Sequence, residues 1–197
     1  MTVVRLSSGK LLLHSPIPIT EQLKAELDSI GVVAHILCPN NYHHLYAEQA
    51  LATYPDARLY GSKKLQKKRK DLPFTETLTD IPHVDWKEDL IPLTINGSLM
   101  YETVFFHPTS KTLITSDIVE NFKTSPHWLT RNWLKLGGCH GHTTWHRVLR
   151  LVYINRWSAR KSIKRMFEFP FETVVLAHGD IITDNAKKSL SDGLRWL

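Results

Sequence analysis

Side chains able to bind a metal ion stand at the ends of three apolar segments of this sequence. His43 and His44 follow the first segment, Asp117 follows the second and His178 follows the third. Imidazole nitrogen and carboxylate oxygen are common ligands for zinc, iron and manganese. A bound ion of this kind lowers the pKa of a coordinated water and supplies hydroxide near neutral pH. The residues therefore predict metal-assisted chemistry, and the 11 histidines among 197 residues agree with it.

The three segments have the length and composition of β-strands. They are rich in apolar and β-branched side chains and cover residues 32–38, 112–116 and 173–177. Helical patterns lie around and between them, at residues 20–30, 144–153, 158–167 and 184–196. Strands and helices mix throughout, which predicts a layered α/β protein. Because such proteins place their sites at the C-terminal ends of neighbouring strands, we expect the candidate ligands to converge.

Four pieces of the sequence resemble the metallo-β-lactamase superfamily, and in particular a bacterial branch of it. They are LHSP at 13–16, PNNYHHL at 39–45, LITSD at 113–117 and LAHGD at 176–180, and they occur in the family's order. The resemblance implies a single domain over residues 1–197 with a four-layer αββα sandwich. It also implies a metal site along one edge of the two sheets. Asp117 would be the bridging aspartate of the family and His178 its final histidine.

The sequence also departs from the family, and the departures bear on the number of metal ions. The hallmark H-x-H-x-D-H falls on residues 39–44, where His44 agrees, His43 replaces the aspartate, and Pro39 and Asn41 replace the first two histidines. The family's middle histidine falls near Ser98. The resemblance therefore implies loss of the first metal position and retention of the second. The expected ligands of one divalent ion are His43, His44, Asp117 and His178.

The ligand set leaves the identity of the ion open. Three imidazoles and one carboxylate would fill a tetrahedral zinc shell, whereas catalysis needs an open position. Iron or manganese would accept the same four groups and still bind water. The remaining alternatives are five-coordinate zinc, or one histidine outside the coordination shell. Glu102 and Asp180 are candidates to orient the imidazoles, or are ordinary surface or turn carboxylates.

Three functions from different classes remain open, and the first, a metal-dependent hydrolase, is the one that we predict. The first is a hydrolase that directs a metal-activated water at an ester, amide or phosphoester of a small molecule, with Asp117 or Asp180 accepting the proton. The second is a mononuclear iron oxidoreductase, since the family that the chain resembles includes oxygen-using iron members. The third is a non-catalytic, metal-stabilised module whose basic helices bind an anionic partner.

A second group of metal-binding residue types lies after Asp117. It consists of Cys139, His140, His142 and His146. His142 and His146 stand at i and i+4 and would share one face of a helix. The group is either a separate zinc site or part of the lining of the main site.

Charge and hydropathy limit the partners and the location. The net charge of +6 comes largely from basic runs at 63–70 and 147–165, which we interpret as solvent-exposed helix faces. A nucleic-acid partner is not expected but stays open, as does the oligomeric state. No apolar run approaches the length of about 20 residues that spans a bilayer, and no signal peptide is evident. We therefore expect a cytoplasmic protein without a membrane partner and without a disulfide between Cys38 and Cys139.

Overall fold

Two β-sheets, one in each half of the chain, organise the structure. The computed structural model describes residues 1–197 and comprises a first unit, Met1–Pro92, and a second unit, Leu93–Leu197. The single domain over residues 1–197 stays a prediction, and the two units are described separately. None of the helices is both long and apolar enough to cross a membrane.

The first unit contains a five-stranded sheet of order β1-β2-β3-β4-β5, in which β1 and β2 are antiparallel and the other pairs are parallel. Its elements are β1 Thr2–Arg5, β2 Leu11–His14, α1 Glu21–Ile30, β3 Val33–Cys38, α2 Ala47–Thr53, β4 Arg58–Gly61, α3 Lys63–Lys68 and β5 Glu76–Thr77. Helix α1 begins where the sequence predicts it, because the Thr20 hydroxyl accepts a hydrogen bond from the Leu23 amide.

The central strands of this sheet are mostly apolar because most of their side chains are buried. Ile36, Leu37 and Cys38 of β3 are fully buried, as is Leu59 of β4. Leu27 of α1 belongs to the same hydrophobic core. Because β3 is buried, the position of its last residue in the sheet is fixed. The loop that carries His43 and His44 begins directly after this strand.

The second sheet has four strands in the order β6-β7-β8-β9, and all but the first two residues of β6 lie in the second unit. Strands β7 and β8 are antiparallel, whereas β8 and β9 are parallel. A parallel pair requires a long crossover, and here it includes two helices and a 3₁₀ helix. The elements are β6 Ile91–Thr94, β7 Thr103–His107, β8 Thr112–Ile114, α4 Trp128–Gly137, the 3₁₀ helix Arg147–Val152, α5 Arg156–Glu168, β9 Thr173–Val175 and α6 Ala186–Gly193.

The α-helix predicted at residues 144–153 is wrong. Thr144 instead exchanges two backbone hydrogen bonds with Glu120, which holds the chain extended at this point. Only the 3₁₀ helix follows, and His142 and His146 therefore do not share a helix face. Apolar spacing alone misses this result because the bridge to Glu120 is a tertiary contact.

Candidate metal centre

The pairing of β8 with β9 brings Asp117 and His178 together. The ladder continues past the strand ends, since the Thr115 amide donates to the Val175 carbonyl at 2.8 Å. Nε2 of His178 then lies 2.9 Å from Oδ1 of Asp117. Asp117 is buried and the His178 side chain is 43% exposed, so the pair can be reached from outside. The predicted convergence at the ends of these two strands is thus confirmed in the second unit.

A buried carboxylate holds the backbone of Asp117 in place. Glu102, only 2% exposed, accepts hydrogen bonds from the amides of Ser116 and Asp117 at 2.7 and 2.9 Å. Charged acceptors make stronger hydrogen bonds than neutral ones, so this contact restrains the turn after β8. The two amides occupy both oxygens of Glu102, which therefore orients the ligand-bearing backbone.

The loop after β9 is held by Asn121. Its backbone amide donates to the His178 carbonyl at 3.0 Å, and its side-chain amide donates to the Asp180 carbonyl at 2.8 Å. The approach requires glycine at position 179, where φ is +109° and a Cβ would lie 2.2 Å from the Asn121 carbonyl oxygen. The LAHGD piece therefore combines a ligand residue with the glycine that lets its loop close on a neighbouring segment.

Three carboxylates surround the single imidazole of His178. The hydrogen bond to Asp117, supported by the charges of Glu120 and Glu102, raises the pKa of His178 above its usual range. Burial raises the pKa of Glu120, and the nearby charge of Asp117 raises it further. Burial likewise raises the pKa of Cys139 to about 12 beside Glu120, so its thiol is not ionised near neutral pH. The surplus of acidic groups favours a cation at this position.

The first unit places His43 in a short, restrained loop after β3. The side-chain oxygen of Asn40 accepts from the amides of Tyr42 and His43 at 2.8 and 2.9 Å. The hydroxyl of Ser15 is hydrogen-bonded to Nδ1 of His43. Ser15 itself has a positive φ of 58°, which is uncommon for a residue with a Cβ. If His43 is a metal ligand, the coordinating atom is Nε2, because Ser15 occupies the other nitrogen.

His44 lies between two cationic side chains of the same unit. Nη1 of Arg69 is 2.9 Å from Nδ1 of His44, and Nζ of Lys68 is 3.3 Å from Nε2. Burial lowers the pKa of His44, and the positive charges of Lys68 and Arg69 lower it further. A metal ion on His44 would be repelled by both neighbours. The assignment of His43 and His44 to the same ion as Asp117 and His178 stays a sequence prediction.

The other predicted site residues have separate surroundings. Asp180 is exposed, and its contacts with Asn121 use backbone atoms. No three ligand atoms of the second group, Cys139, His140, His142 and His146, gather within 4.8 Å of one another. His146 is fully buried, stacks on Trp133 with ring centroids 4.2 Å apart, and directs Nε2 at the Trp133 carbonyl. His146 therefore has a packing role.

Sequence reasoning missed Glu120. It follows Asp117 by three residues, in a stretch for which the sequence pattern predicts no helix or strand. A usable signal was present, since no other acidic residue occurs between Asp117 and Glu168. An isolated carboxylate in a basic segment, close after a candidate ligand, deserves to be considered part of the same site.

The donor set of the second unit fits a divalent ion. One carboxylate oxygen and one imidazole nitrogen, 2.9 Å apart, can both lie at the metal–ligand distance of about 2.0–2.2 Å from a single ion. A bound ion would take the place of the direct contact between them. The buried carboxylate of Glu102 supplies the outer support that metal ligands commonly have.

Comparison with solved structures shows that the fold is of the metallo-β-lactamase type. A metallo-β-lactamase from Pontibacter korlensis matches with a TM-score of 0.64 at 15% identity, covering 98% of this chain and 84% of that one. The metal-soaked Flv1 flavodiiron core from Synechocystis sp. PCC6803 matches with a TM-score of 0.69 at 12% identity, covering 98% of this chain. The chain spans about half of that flavodiiron core, 51% of its length.

A third solved structure, TTHA1623 in a di-iron-bound form, matches with a TM-score of 0.59 at 16% identity, covering 92% of this chain and 88% of that one. The predicted α/β class of the metallo-β-lactamase type is thereby confirmed. Residues 1–134 match the family described as Domain of unknown function (DUF4336), and the chain belongs to that family. Comparison with curated protein sequences finds no match.

Proposed function

We propose that this protein is a metal-dependent hydrolase that binds one divalent ion through Asp117 and His178 and acts on a small-molecule ester, amide or phosphoester. The observation that carries the proposal is the pair itself, supported by Glu102 and set among an excess of carboxylates. The metallo-β-lactamase fold supports it further, because one matching structure is metal-soaked and another is in a di-iron-bound form. Zinc, iron and manganese all suit the donor set.

An ion held by Asp117 and His178 would supply hydroxide near neutral pH by lowering the pKa of a bound water. Carboxylates of the chain would accept the proton that this water releases. Glu120 is a candidate acceptor, because it directly precedes Asn121, whose amide donates to the His178 carbonyl, and because burial raises the pKa of its carboxyl. Asp180 is exposed and would pass a proton to solvent. Glu102 holds the Asp117 backbone through its two accepted hydrogen bonds and takes no part in proton transfer.

The two histidines of the first unit differ in this proposal. His43 is kept as a third ligand through Nε2, because Ser15 restrains its ring through Nδ1. His44 is placed outside the coordination shell, because Arg69 and Lys68 face its two nitrogens. One carboxylate and two imidazoles leave a zinc ion with the open position that hydrolysis needs. A cytoplasmic location completes the proposal.

A mononuclear iron oxidoreductase is the second candidate. The likeness to a flavodiiron core and to a di-iron-bound structure favours it. The same Asp117 and His178 would hold the iron, and the proposals differ in the co-reactant. A hydrolase works under anaerobic conditions and with zinc or manganese, whereas an oxygen-using enzyme requires iron and oxygen.

Elemental analysis of the purified protein tests the proposal directly. We expect one ion per chain after reconstitution with zinc, manganese or ferrous iron, and loss of stoichiometric binding in Asp117→Ala and His178→Ala. His142→Ala, at an exposed histidine outside the pair, is the matched control and should keep its metal. His43→Ala should weaken binding more than His44→Ala. Failure to bind stoichiometric metal after reconstitution would overturn the proposal.

Activity measurements then separate the candidate functions. Each metal form is assayed with p-nitrophenyl acetate and bis-p-nitrophenyl phosphate, with and without oxygen. Oxygen-independent hydrolysis that Asp117→Ala abolishes supports the hydrolase. Oxygen consumption confined to the iron form supports the oxidoreductase. A metal-loaded protein with neither activity contradicts both enzymes and supports the non-catalytic, metal-stabilised module.

A further inference from the structure

The second unit exposes a group of large apolar side chains on α4, on the 3₁₀ helix and at the start of α5. Their exposed fractions run from 48% for Trp133 to 76% for Leu151. We call this group the apolar face, and its members are Trp128, Leu129, Trp133, Leu136, Val148, Leu151, Ile154 and Trp157. Single exposed apolar side chains are ordinary, but a group of eight including three tryptophans marks an interaction surface.

The elements that carry these side chains are neighbours. On α4 the four apolar residues stand at i, i+1, i+5 and i+8, which lie on one side of a helix. The other side carries the buried Leu134 and Gly137. Helix α4 packs against the 3₁₀ helix, with the Trp133 ring stacked on His146 directly before it. Ile154 and Trp157 continue from the 3₁₀ helix into α5.

The segment that carries the apolar face has charged side chains of one sign only. Residues 121–167 contain no aspartate or glutamate. They contain ten cationic side chains: Lys123, Arg131, Lys135, Arg147, Arg150, Arg156, Arg160, Lys161, Lys164 and Arg165. Apolar side chains bordered by lysine and arginine, with no acidic residue, are typical of segments that lie on anionic membrane surfaces.

A cavity adjoins the apolar face and shares two of its residues. It has a volume of about 530 Å³ and is lined in part by Ile154, Trp157, Ser158, Lys161 and Arg165. Nζ of Lys161 lies 5.9 Å from the centroid of the Trp157 ring. No acidic residue lines the cavity. A phosphate group could therefore enter it beside two cations while the apolar chains of the same molecule stay against Ile154 and Trp157.

We propose that the apolar face docks on the surface of a bilayer containing anionic phospholipid, with the cavity receiving a phosphate headgroup. A second copy of the chain fits less well, because a symmetric contact would bring two basic surfaces together. Nucleic acid also fits less well, because the aliphatic Leu136, Leu151 and Ile154 offer nothing to phosphates or stacked bases. In a bilayer, acyl chains would cover these aliphatic side chains and anionic headgroups would contact the lysine and arginine side chains.

The proposal changes one expectation from the sequence. The absence of a spanning segment led us to expect no membrane partner, but lying on a membrane needs no spanning helix. It needs an amphipathic surface, and part of that surface forms only when α4 and the 3₁₀ helix pack together. The docking proposal is independent of the metal centre, so failure of either leaves the other standing.

Vesicle co-sedimentation tests the docking. Full-length protein is mixed with vesicles of phosphatidylcholine alone or with about 30% phosphatidylglycerol, at an ionic strength near 0.1 M. We expect binding to the anionic vesicles, and a loss of about tenfold or more in the double variant Leu136→Glu/Leu151→Glu. Ile81→Glu in the first unit is the matched control, because Ile81 is 80% exposed and lies outside residues 121–167. It should bind as the parent does.

Several outcomes would overturn the docking proposal. The first is a lack of binding to anionic vesicles, and the second is an equal loss of binding in the Ile81→Glu control. The third concerns the exposed Trp128 and Trp157, whose fluorescence should be quenched in the bound protein by lipids with brominated acyl chains. A lack of quenching would contradict the proposal. A dimer that the double variant dissociates would assign the face to a second copy. A protein that binds duplex DNA but not vesicles, and whose DNA binding is unchanged in Leu136→Glu/Leu151→Glu, would show that the basic side chains serve to bind nucleic acid.

The cavity has its own matched pair on α5. Lys161 lines it, whereas Lys164 is exposed on the same helix and does not. Lys161→Ala should weaken binding to anionic vesicles several-fold more than Lys164→Ala, because both remove one charge but only the first removes a headgroup contact. Equal losses would show that the cations act as a diffuse field and would overturn the headgroup role of the cavity.

Discussion

At the scale of single residues, Glu102 shows how a buried charge can serve a neighbouring ligand. The sequence suggested that it orients an imidazole, but the structure directs both its oxygens at the amides of Ser116 and Asp117. The position of the Asp117 carboxylate thus depends on a residue 15 positions earlier, on the far side of the β7–β8 hairpin. Periodicity and motif spacing do not contain such a contact.

The variant Glu102→Gln tests this dependence. A glutamine offers one acceptor oxygen for two amide donors and turns its own NH₂ towards the second, so the buried turn loses about 1–3 kcal/mol. We expect metal affinity to fall by about 10–100-fold, as it does when outer supports of metal ligands are removed. Isothermal titration with zinc and urea unfolding measure the two effects. Glu168→Gln, at an exposed glutamate ending α5, should change neither. Undiminished zinc affinity in Glu102→Gln would contradict the assigned role.

At the scale of elements, the turn after β6 must approach the start of α5 closely. The Asn155 amide donates to the Gly97 carbonyl at 3.0 Å, and Gly97 has a φ of +82°. A Cβ on Gly97 would lie 2.1 Å from the Asn155 carbonyl oxygen and 2.9 Å from the Ala159 amide nitrogen. Backbone atoms on both sides leave little room for adjustment.

Gly97→Ala should therefore cost about 3 kcal/mol or more of unfolding free energy, from crowding added to the strain of a positive φ. Gly9→Ala is a close control, because Gly9 has a φ of +81° with no atom within 4 Å of its Cβ position. It should cost only about 1 kcal/mol. Urea unfolding monitored by circular dichroism compares the two variants. Equal losses would show that backbone strain alone, without the contact to α5, explains the role of Gly97.

The elements that sequence reasoning predicted well are those with local signals. Helix α1 has a capping threonine and a terminal glycine, and β3 is a continuous apolar run, so both were located to within a residue or two. The stretch after Asp117 has few such signals. There the bridge between Glu120 and Thr144 holds the chain extended, and only a 3₁₀ helix at Arg147–Val152 forms where an α-helix was predicted at 144–153.

At the scale of the whole molecule, the buried His35 links stability to pH. It is 1% exposed on β3, with Nδ1 at 3.0 Å from the Tyr60 hydroxyl. Burial lowers its pKa from 6.5 to about 4, although the nearby Asp85 opposes the shift. The unfolded chain therefore takes up a proton at a higher pH than the folded one. The contribution of neutral His35 is complete above pH 6.5 and is lost as the pH falls towards 4.

His35→Gln should flatten this dependence. Glutamine stays neutral in the folded and the unfolded chain, so the variant lacks the fall in unfolding free energy that His35 causes at low pH. That fall is up to about 1.4 kcal/mol per pH unit, or about 3 kcal/mol over the interval from pH 6.5 to 4. Urea titrations at half-unit pH steps give the slope of unfolding free energy against pH. The control His142→Gln, at an exposed histidine, should retain the parent's slope. A parent protein whose stability is flat across this interval would contradict the neutral, buried state of His35.

For the chain as a whole, the fold was more predictable from sequence than the site. Asp117 and His178 were found because each follows an apolar strand and matches a family motif, and these local features survive folding. The surroundings of His44 were not found, because Arg69 and Lys68 reach it from helix α3 and the residue after it. The same holds for Glu120, whose neighbours His178 and Cys139 are distant in sequence.

The parallel pairing of β8 and β9 has a consequence for the order of events during folding. Asp117 and His178 are separated by 61 positions, and everything between them must be compacted before β9 can add to β8. Contacts of such long sequence separation form late, because the entropy of closing the intervening chain is lost before the pairing can compensate it. An ion would therefore find its two ligands adjacent only near the end of folding. Binding of the ion would then stabilise a sheet that is already almost complete. The ion could not act as the folding nucleus of that sheet.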